Sequence, residues 1–205
     1  MKLLRIRIFY LFSFVFVLVL TGCATKPQAP ISLNASAHQA QLANIHQWSI
    51  KGRMAFKSTE DKFSANLNWV QNTQEYDVKF TTFIGTHLMS MRSTDEFAEM
   101  QIDDQYYVDA NAETLIQRTT GWHIPLSHLP QWIKGQFTEN ATYRFDERGL
   151  LQSLSPHCTS CGEWQITFGQ YQKINHVWLP HQLVLTNPLE HNTQIKIRIH
   201  TWQLL

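Results

Sequence analysis

From Trp48 onward, apolar and polar residues alternate along the chain with a period of two, and this pattern restricts the fold more than any other feature. Trp48, Ile50, Met54 and Phe56 share one parity with Gly52, while Ser49, Lys51, Arg53 and Lys57 take the other. The pattern repeats with Phe63, Ala65, Leu67 and Trp69 against Lys62, Ser64, Asn66 and Asn68. A third run sets Tyr76, Val78 and Phe80 against Glu75, Asp77 and Lys79. Each run reads as a strand buried on one face. The polar breaks between them, Ser58-Thr59-Glu60-Asp61 and Asn72-Thr73, have hairpin length. An antiparallel sheet with one solvated face is therefore expected.

Poorer alternation predicts further strands at 86–93, 97–102 and 105–108. Residues 111–121 read as a helix, with Asn111 as cap, Glu113 in the first turn, Leu115 and Ile116 apolar, and Gly121 as the stop. A shorter helix is expected over 126–134, with Leu129, Trp132 and Ile133 on one side, and another over 36–47. Strands resume at 163–168, 179–186 and 194–199. The total is about ten strands and two or three helices, a mainly β chain of the α+β class. A large curved sheet needs a cover for its apolar face, and the helices are the candidates.

The N-terminus carries Lys2, Arg5 and Arg7, followed by an apolar run from Ile8 to Leu20, the layout of an export signal. Such a core is short for a bilayer span. It ends at Leu20-Thr21-Gly22-Cys23, which looks like a lipobox, so Cys23 is the expected lipidation site. Ala24 is not the Asp that in many bacterial lipoproteins signals inner-membrane retention, and this favours the outer membrane. Pro27, Pro30 and small polar residues mark a tether. The expected organisation is thus a signal peptide over 1–22, a lipidated tether over 23–37 and a single domain over 38–205. The chain has 205 residues and a net charge of +1 with Lys and Arg scattered, so nothing points to nucleic acid.

These residues resemble the LolB family of outer-membrane lipoprotein receptors. The resemblance is carried by Lys51-Gly52-Arg53-Met54-Ala55-Phe56, the strand ending in Trp69, and Phe80-Thr81-Thr82-Phe83-Ile84-Gly85. It continues through Ile124-Pro125-Leu126, Leu129, Gln131-Trp132-Ile133 and the closing strand with Trp202. It implies an incomplete β-barrel with a helical lid around a hydrophobic cavity, on the periplasmic face of the outer membrane. The implied partners are the carrier LolA with its lipoprotein cargo, the cargo's acyl chains and outer-membrane phospholipids, with the protein acting as a monomer. The family's exposed loop residue, a Leu in relatives, corresponds to Ile84, so Phe83, Ile84 and Gly85 are the expected membrane-insertion loop. Met54, Phe56, Leu67, Trp69, Phe80, Met89, Met91 and Trp132 are the cavity candidates, the methionines because thioether chains repack around variable shapes. Each is equally acceptable as plain core, and only the resemblance argues for a cavity. No nucleotide-binding loop is present, so delivery is expected to run downhill without ATP or any cofactor. The alternative is a β-rich lipoprotein that binds another lipid or serves as an accessory subunit of an envelope machine.

Cys158-Thr-Ser-Cys161 is the sharpest competing signal, since Cys-x-x-Cys suits a redox motif or half a metal site. A redox site belongs at a helix start, whereas this pair lies in a turn between strands. A metal would need two further ligands, and only His157 is adjacent. A structural disulfide between Cys158 and Cys161 fits the periplasm, with free thiols as the alternative. The ten His are dispersed without His-Glu-x-x-His spacing, and no Gly-x-Ser-x-Gly elbow occurs, so neither a metal site nor an enzyme is expected.

Overall fold

The structure is a computed structural model that describes residues 33–137, 140–158 and 161–205. The export signal, Cys23 and most of the tether lie outside the described residues. Residues 33–37 already belong to the folded unit: the Leu33 amide donates to the Arg148 carbonyl at 2.9 Å. Helix α1 begins at Ala35.

The chain opens with α1 (Ala35–Ala43), β1 (Gln47–Lys57), β2 (Lys62–Asn72), β3 (Glu75–Thr81), β4 (His87–Ser93), β5 (Ala98–Ile102) and β6 (Gln105–Asp109). Two helices interrupt the strands, α2 (Ala112–Thr120) and α3 (Leu129–Ile133). Then follow β7 (Ala141–Phe145), β8 (Leu151–Pro156), β9 (Gln165–Gly169), β10 (Gln172–Ile174), β11 (Val177–Leu179), β12 (Gln182–Asn187) and β13 (Thr193–Leu204). Eleven strands form one sheet in the order β6-β5-β4-β3-β2-β1-β13-β12-β9-β8-β7, while β10 and β11 make a separate hairpin. Every pairing is antiparallel, and the sheet does not close.

Thirteen described strands exceed the ten expected. β10 and β11 have three residues each, too few for a period to show, and β7 exposes three consecutive residues instead of alternating. The first helix is shorter than 36–47 because the chain is already strand at Gln47, which pairs with Asn72. The third starts at Leu129, not 126, with Pro130 in its first turn.

The inward parity of the strands makes the core: Trp48, Ile50, Phe56, Leu67, Trp69, Phe80, Ile195 and Ile197 are all buried. Gly52 shares this parity for a steric reason. A Cβ there would lie 2.1 Å from the Arg198 carbonyl oxygen, where the β1–β13 register shifts between Lys51 and Gly52. A buried indole N–H needs an acceptor, and two of them find one here. Trp202 Nε1 donates to the Pro180 carbonyl at 3.0 Å and Trp69 Nε1 to Gln71 Oε1 at 3.0 Å.

Helix α2 is set as the sequence predicts. The Asn111 side chain accepts from the Glu113 and Thr114 amides, Gly121 ends the helix at φ 77°, and Leu115 and Ile116 are buried. Helix α1 is fixed from two sides. Its His38 bonds the Trp178 carbonyl through Nε2 at 2.8 Å, and Lys134 Nζ donates to the Leu42 and Ile45 carbonyls at 3.0 and 2.7 Å. An ammonium there complements the carbonyl end of the helix.

Candidate functional site

The inward face of the sheet and the segment from α2 to α3 enclose an apolar cavity of about 70 Å³. Seven of the eight residues singled out from the sequence meet there: Met54, Phe56, Leu67, Trp69, Phe80, Met89 and Met91. Trp132 is placed elsewhere, buried with its ring 5.7 Å from that of His128. The other side of the cavity is a cover of Ile116, Trp122, Ile124, Leu126 and Leu129; the sequence offered the helices that carry Ile116 and Leu129 as a cover but did not single out Trp122 or Ile124. Trp122 is its centre, stacked on Phe56 at 4.0 Å and on Phe63 at 5.4 Å. The one available signal was a cluster of apolar residues just after the helix stop at Gly121.

Among the described residues, no charged side chain lines this cavity. Its most polar group, the Tyr76 hydroxyl, faces Met91 Sδ at 3.7 Å, and burial holds its pKa well above the usual phenol value. The walls therefore suit hydrocarbon. The volume does not yet suit an acyl chain: roughly sixteen methylenes, each comparable to a water with its ~30 Å³ share of the liquid, need several hundred Å³. The cavity is narrow as it stands, with Trp122 closing one side.

The loop between β3 and β4 presents Phe83 and Ile84, 82% and 73% exposed. Its conformation is tightly bonded. The Thr82 amide donates to the Thr86 carbonyl, the Gly85 amide to the Thr82 carbonyl and the Thr86 amide to Thr82 Oγ1, all within 2.8–3.0 Å. Gly85 takes φ 92°, which a side chain would resist. Asn66 Nδ2 donates to the Thr82 carbonyl at 2.8 Å and ties the loop to β2. Two large apolar side chains are thus held in solvent on a rigid turn.

Cys158 and Cys161 are paired in a disulfide with Cα atoms 5.1 Å apart, inside the usual range. The third ligand-type group beside them is His128, at the start of α3, with its ligand atom within 4.8 Å of both sulfurs. His157, the neighbour in sequence, instead meets Thr142 Oγ1 at 2.8 Å. Bonded to each other, the sulfurs are not thiolates, the form a metal requires.

The sequence model of the family described as outer membrane lipoprotein LolB matches residues 46–202, a span that takes in the sheet from β1 to β13, the cover and the exposed loop. The chain belongs to the LolB family. Among LolB proteins, that of Pseudoalteromonas translucida is 33% identical over 95% of this chain and 94% of its own length. That of Shewanella loihica is 35% identical over 92% and 85%. The fold is shared more widely than the sequence. A LolA superfamily protein from Nitrosomonas europaea superposes with a TM-score of 0.51 at 6% identity, covering 85% of this chain and 94% of its own. A DUF1329 family protein from Desulfovibrio piger gives 0.54 at 8% identity, covering 83% and 90%.

Proposed function

We propose that this protein is an outer-membrane lipoprotein receptor that takes lipoproteins from the periplasmic carrier LolA and inserts their acyl chains into the inner leaflet without ATP. The observation that carries this reading is the rigid turn that holds Phe83 and Ile84 in solvent, on the same hairpin that supplies Phe80 and Met89 to an apolar cavity. Membership of the LolB family and the outer-membrane lipoprotein names of its relatives support it.

The chemistry required is shielding, with no bond made or broken, so the role is not enzymatic. Acyl chains in water cost ~0.8 kcal/mol per methylene, and the cavity walls of Met54, Phe56, Leu67, Trp69, Phe80, Met89 and Met91 replace that water with hydrocarbon contacts. Lipidation at Cys23 and a tether ahead of α1 hold the domain at the leaflet. Phe83 and Ile84 then enter the leaflet where the chains are released. Fully buried, each contributes about 1.5–3 kcal/mol, enough to orient the loop but not to anchor the domain.

The test uses carrier loaded with a labelled lipoprotein, residues 24–205 of this chain, and liposomes. Cargo should pass one way to the protein in the absence of ATP. Ile84→Glu should leave that first transfer intact and block delivery to liposomes. Full delivery by the Glu variant would remove the loop from the mechanism, and no uptake by a folded wild-type protein would remove the receptor role.

A further inference from the structure

The outward face of the sheet is electrically one-sided. The whole chain is nearly balanced, with 17 Lys and Arg against 16 Asp and Glu. Yet the adjacent strands β2, β1, β13 and β12 carry Lys51, Arg53, Lys57, Lys62, Lys196 and Arg198 and no Asp or Glu. All six cations are exposed, and none takes part in an ion pair among the described residues. The register sets them against one another: Arg53 lies directly opposite Arg198, and Lys57 opposite Lys62. Like charges in such cross-strand pairs weaken a sheet, and an anion seated between them offsets that cost. Of the carboxylates nearby, Asp77 is paired with Lys79 and Arg92, while Glu60 and Glu190 stand in the flanking turns beside His191 and His123. Asp61 lies in the β1–β2 turn.

The end of this face where β1 meets β2 is also where apolar side chains project. Phe83, Leu189 and Ile84 are the three most exposed large hydrophobic residues described, at 82, 79 and 73%. Leu189 sits in the β12–β13 turn and the other two in the β3–β4 turn, both at that end of the sheet. Four strand spacings separate the two turns, roughly 19 Å, with the cations between them. An open groove of about 700 Å³ joins the two chemistries, lined by Arg53, Lys196 and Arg198 together with Phe83 and Ile84.

We propose that the outward face of β2, β1, β13 and β12 docks on anionic phospholipid, with phosphodiester headgroups between the cations and with Phe83, Ile84 and Leu189 reaching past them into hydrocarbon. This deepens the receptor reading by naming the lipid class and the face that meets it. A phospholipid leaflet presents phosphate and hydrocarbon at successive depths over a broad plane, which matches two apolar turns flanking a basic surface.

The experiment is vesicle co-flotation of residues 24–205, which contain the entire described core, with phosphatidylcholine alone and with phosphatidylcholine containing phosphatidylglycerol. Binding to the anionic vesicles should be at least tenfold tighter and should fall to the neutral-vesicle level in 0.5 M salt, a concentration at which the Debye length is only about 4 Å. Arg53→Ser, Lys196→Ser and Arg198→Ser should each weaken anionic binding about fivefold, and the triple variant roughly a hundredfold. Leu189→Ser should weaken binding to both vesicle types alike. The single variants keep the test decisive if the triple variant fails to fold. Equal affinity for both vesicle types, or single variants with wild-type affinity, would overturn the proposal. So would a triple variant that still floats with anionic vesicles but no longer accepts cargo from the carrier, since the basic face would then be a protein-docking surface. If wild-type protein takes no cargo yet binds anionic vesicles as described, the receptor role fails and the lipid-docking face stands.

Discussion

Trp122→Ala separates a working lid from ordinary core. Trp122 stacks on Phe56 and Phe63, and those two ring contacts contribute about 0.5–1.5 kcal/mol each beyond area burial. Removing them should raise the free energy of the shut form by about 2 kcal/mol. If hydrocarbon binds only the open form, apparent affinity scales with the open fraction, and 2 kcal/mol corresponds to about thirtyfold tighter binding. The assay is titration with a fluorescent fatty acid, read beside a urea melt of each protein. The melt should show a loss of about 2–3 kcal/mol, below the range for a fully buried Trp because Trp122 is only half-buried. The signature is therefore a less stable protein that binds more tightly. A loss of stability with unchanged affinity would show that the Trp122 stack is packing with no part in gating.

Lys134→Met should cost about 1–3 kcal/mol in a urea melt, because the Leu42 and Ile45 carbonyls lose their buried donor. Burial pushes the Lys134 pKa down to about 8. The folded protein therefore releases this proton before the unfolded chain does, and stability should rise between about pH 8 and 10 by at most ~1.4 kcal/mol per unit. Above pH 10 the sign reverses: the hydroxyls of Tyr76 and Tyr171, held up by burial, ionise first in the unfolded chain. Urea midpoints at pH 7.5, 9.5 and 11 check this, and a rise between the first two that persists in the Met variant would assign it to another group. Gly52→Ala forces its Cβ against the Arg198 carbonyl and should lose more than about 3 kcal/mol or fail to fold, as circular dichroism would show. Replacing Cys158 and Cys161 by Ser opens a four-residue loop and should cost about 2 kcal/mol by chain entropy, with the thermal midpoint unchanged by reductant in the variant alone.

The period-two pattern made one wall of the cavity legible. Met54, Phe56, Leu67 and Phe80 were identifiable because inward parity on a half-buried strand is written directly into spacing. The opposite wall was not, because Trp122, Ile124 and Leu126 lie between helices where no period exists. Trp132 illustrates the reverse: it is apolar, on a helix in the right region and buried, but it stacks on His128 four residues before it, off the cavity. Cross-strand relations were hidden for another reason. Arg53 and Arg198 each read as an ordinary polar-parity residue of a strand, and only the β1–β13 register sets them opposite one another. The approach of His128 to Cys158 and Cys161 likewise depends on how α3 meets the turn after β8, thirty residues further along the chain.

Among the described residues the sheet has two free margins, β6 bonded only to β5 and β7 only to β8. In a closed barrel the ring of hydrogen bonds fixes the circumference, and a wider interior demands that ladders shear. Here no ladder joins the margins among the described residues, and the span between them is set by packing against the helices and by contacts such as that of Arg118 with Asp109 and the Val108 carbonyl. A change in curvature between the margins would break no backbone ladder, so the strand count does not by itself set the room the interior offers.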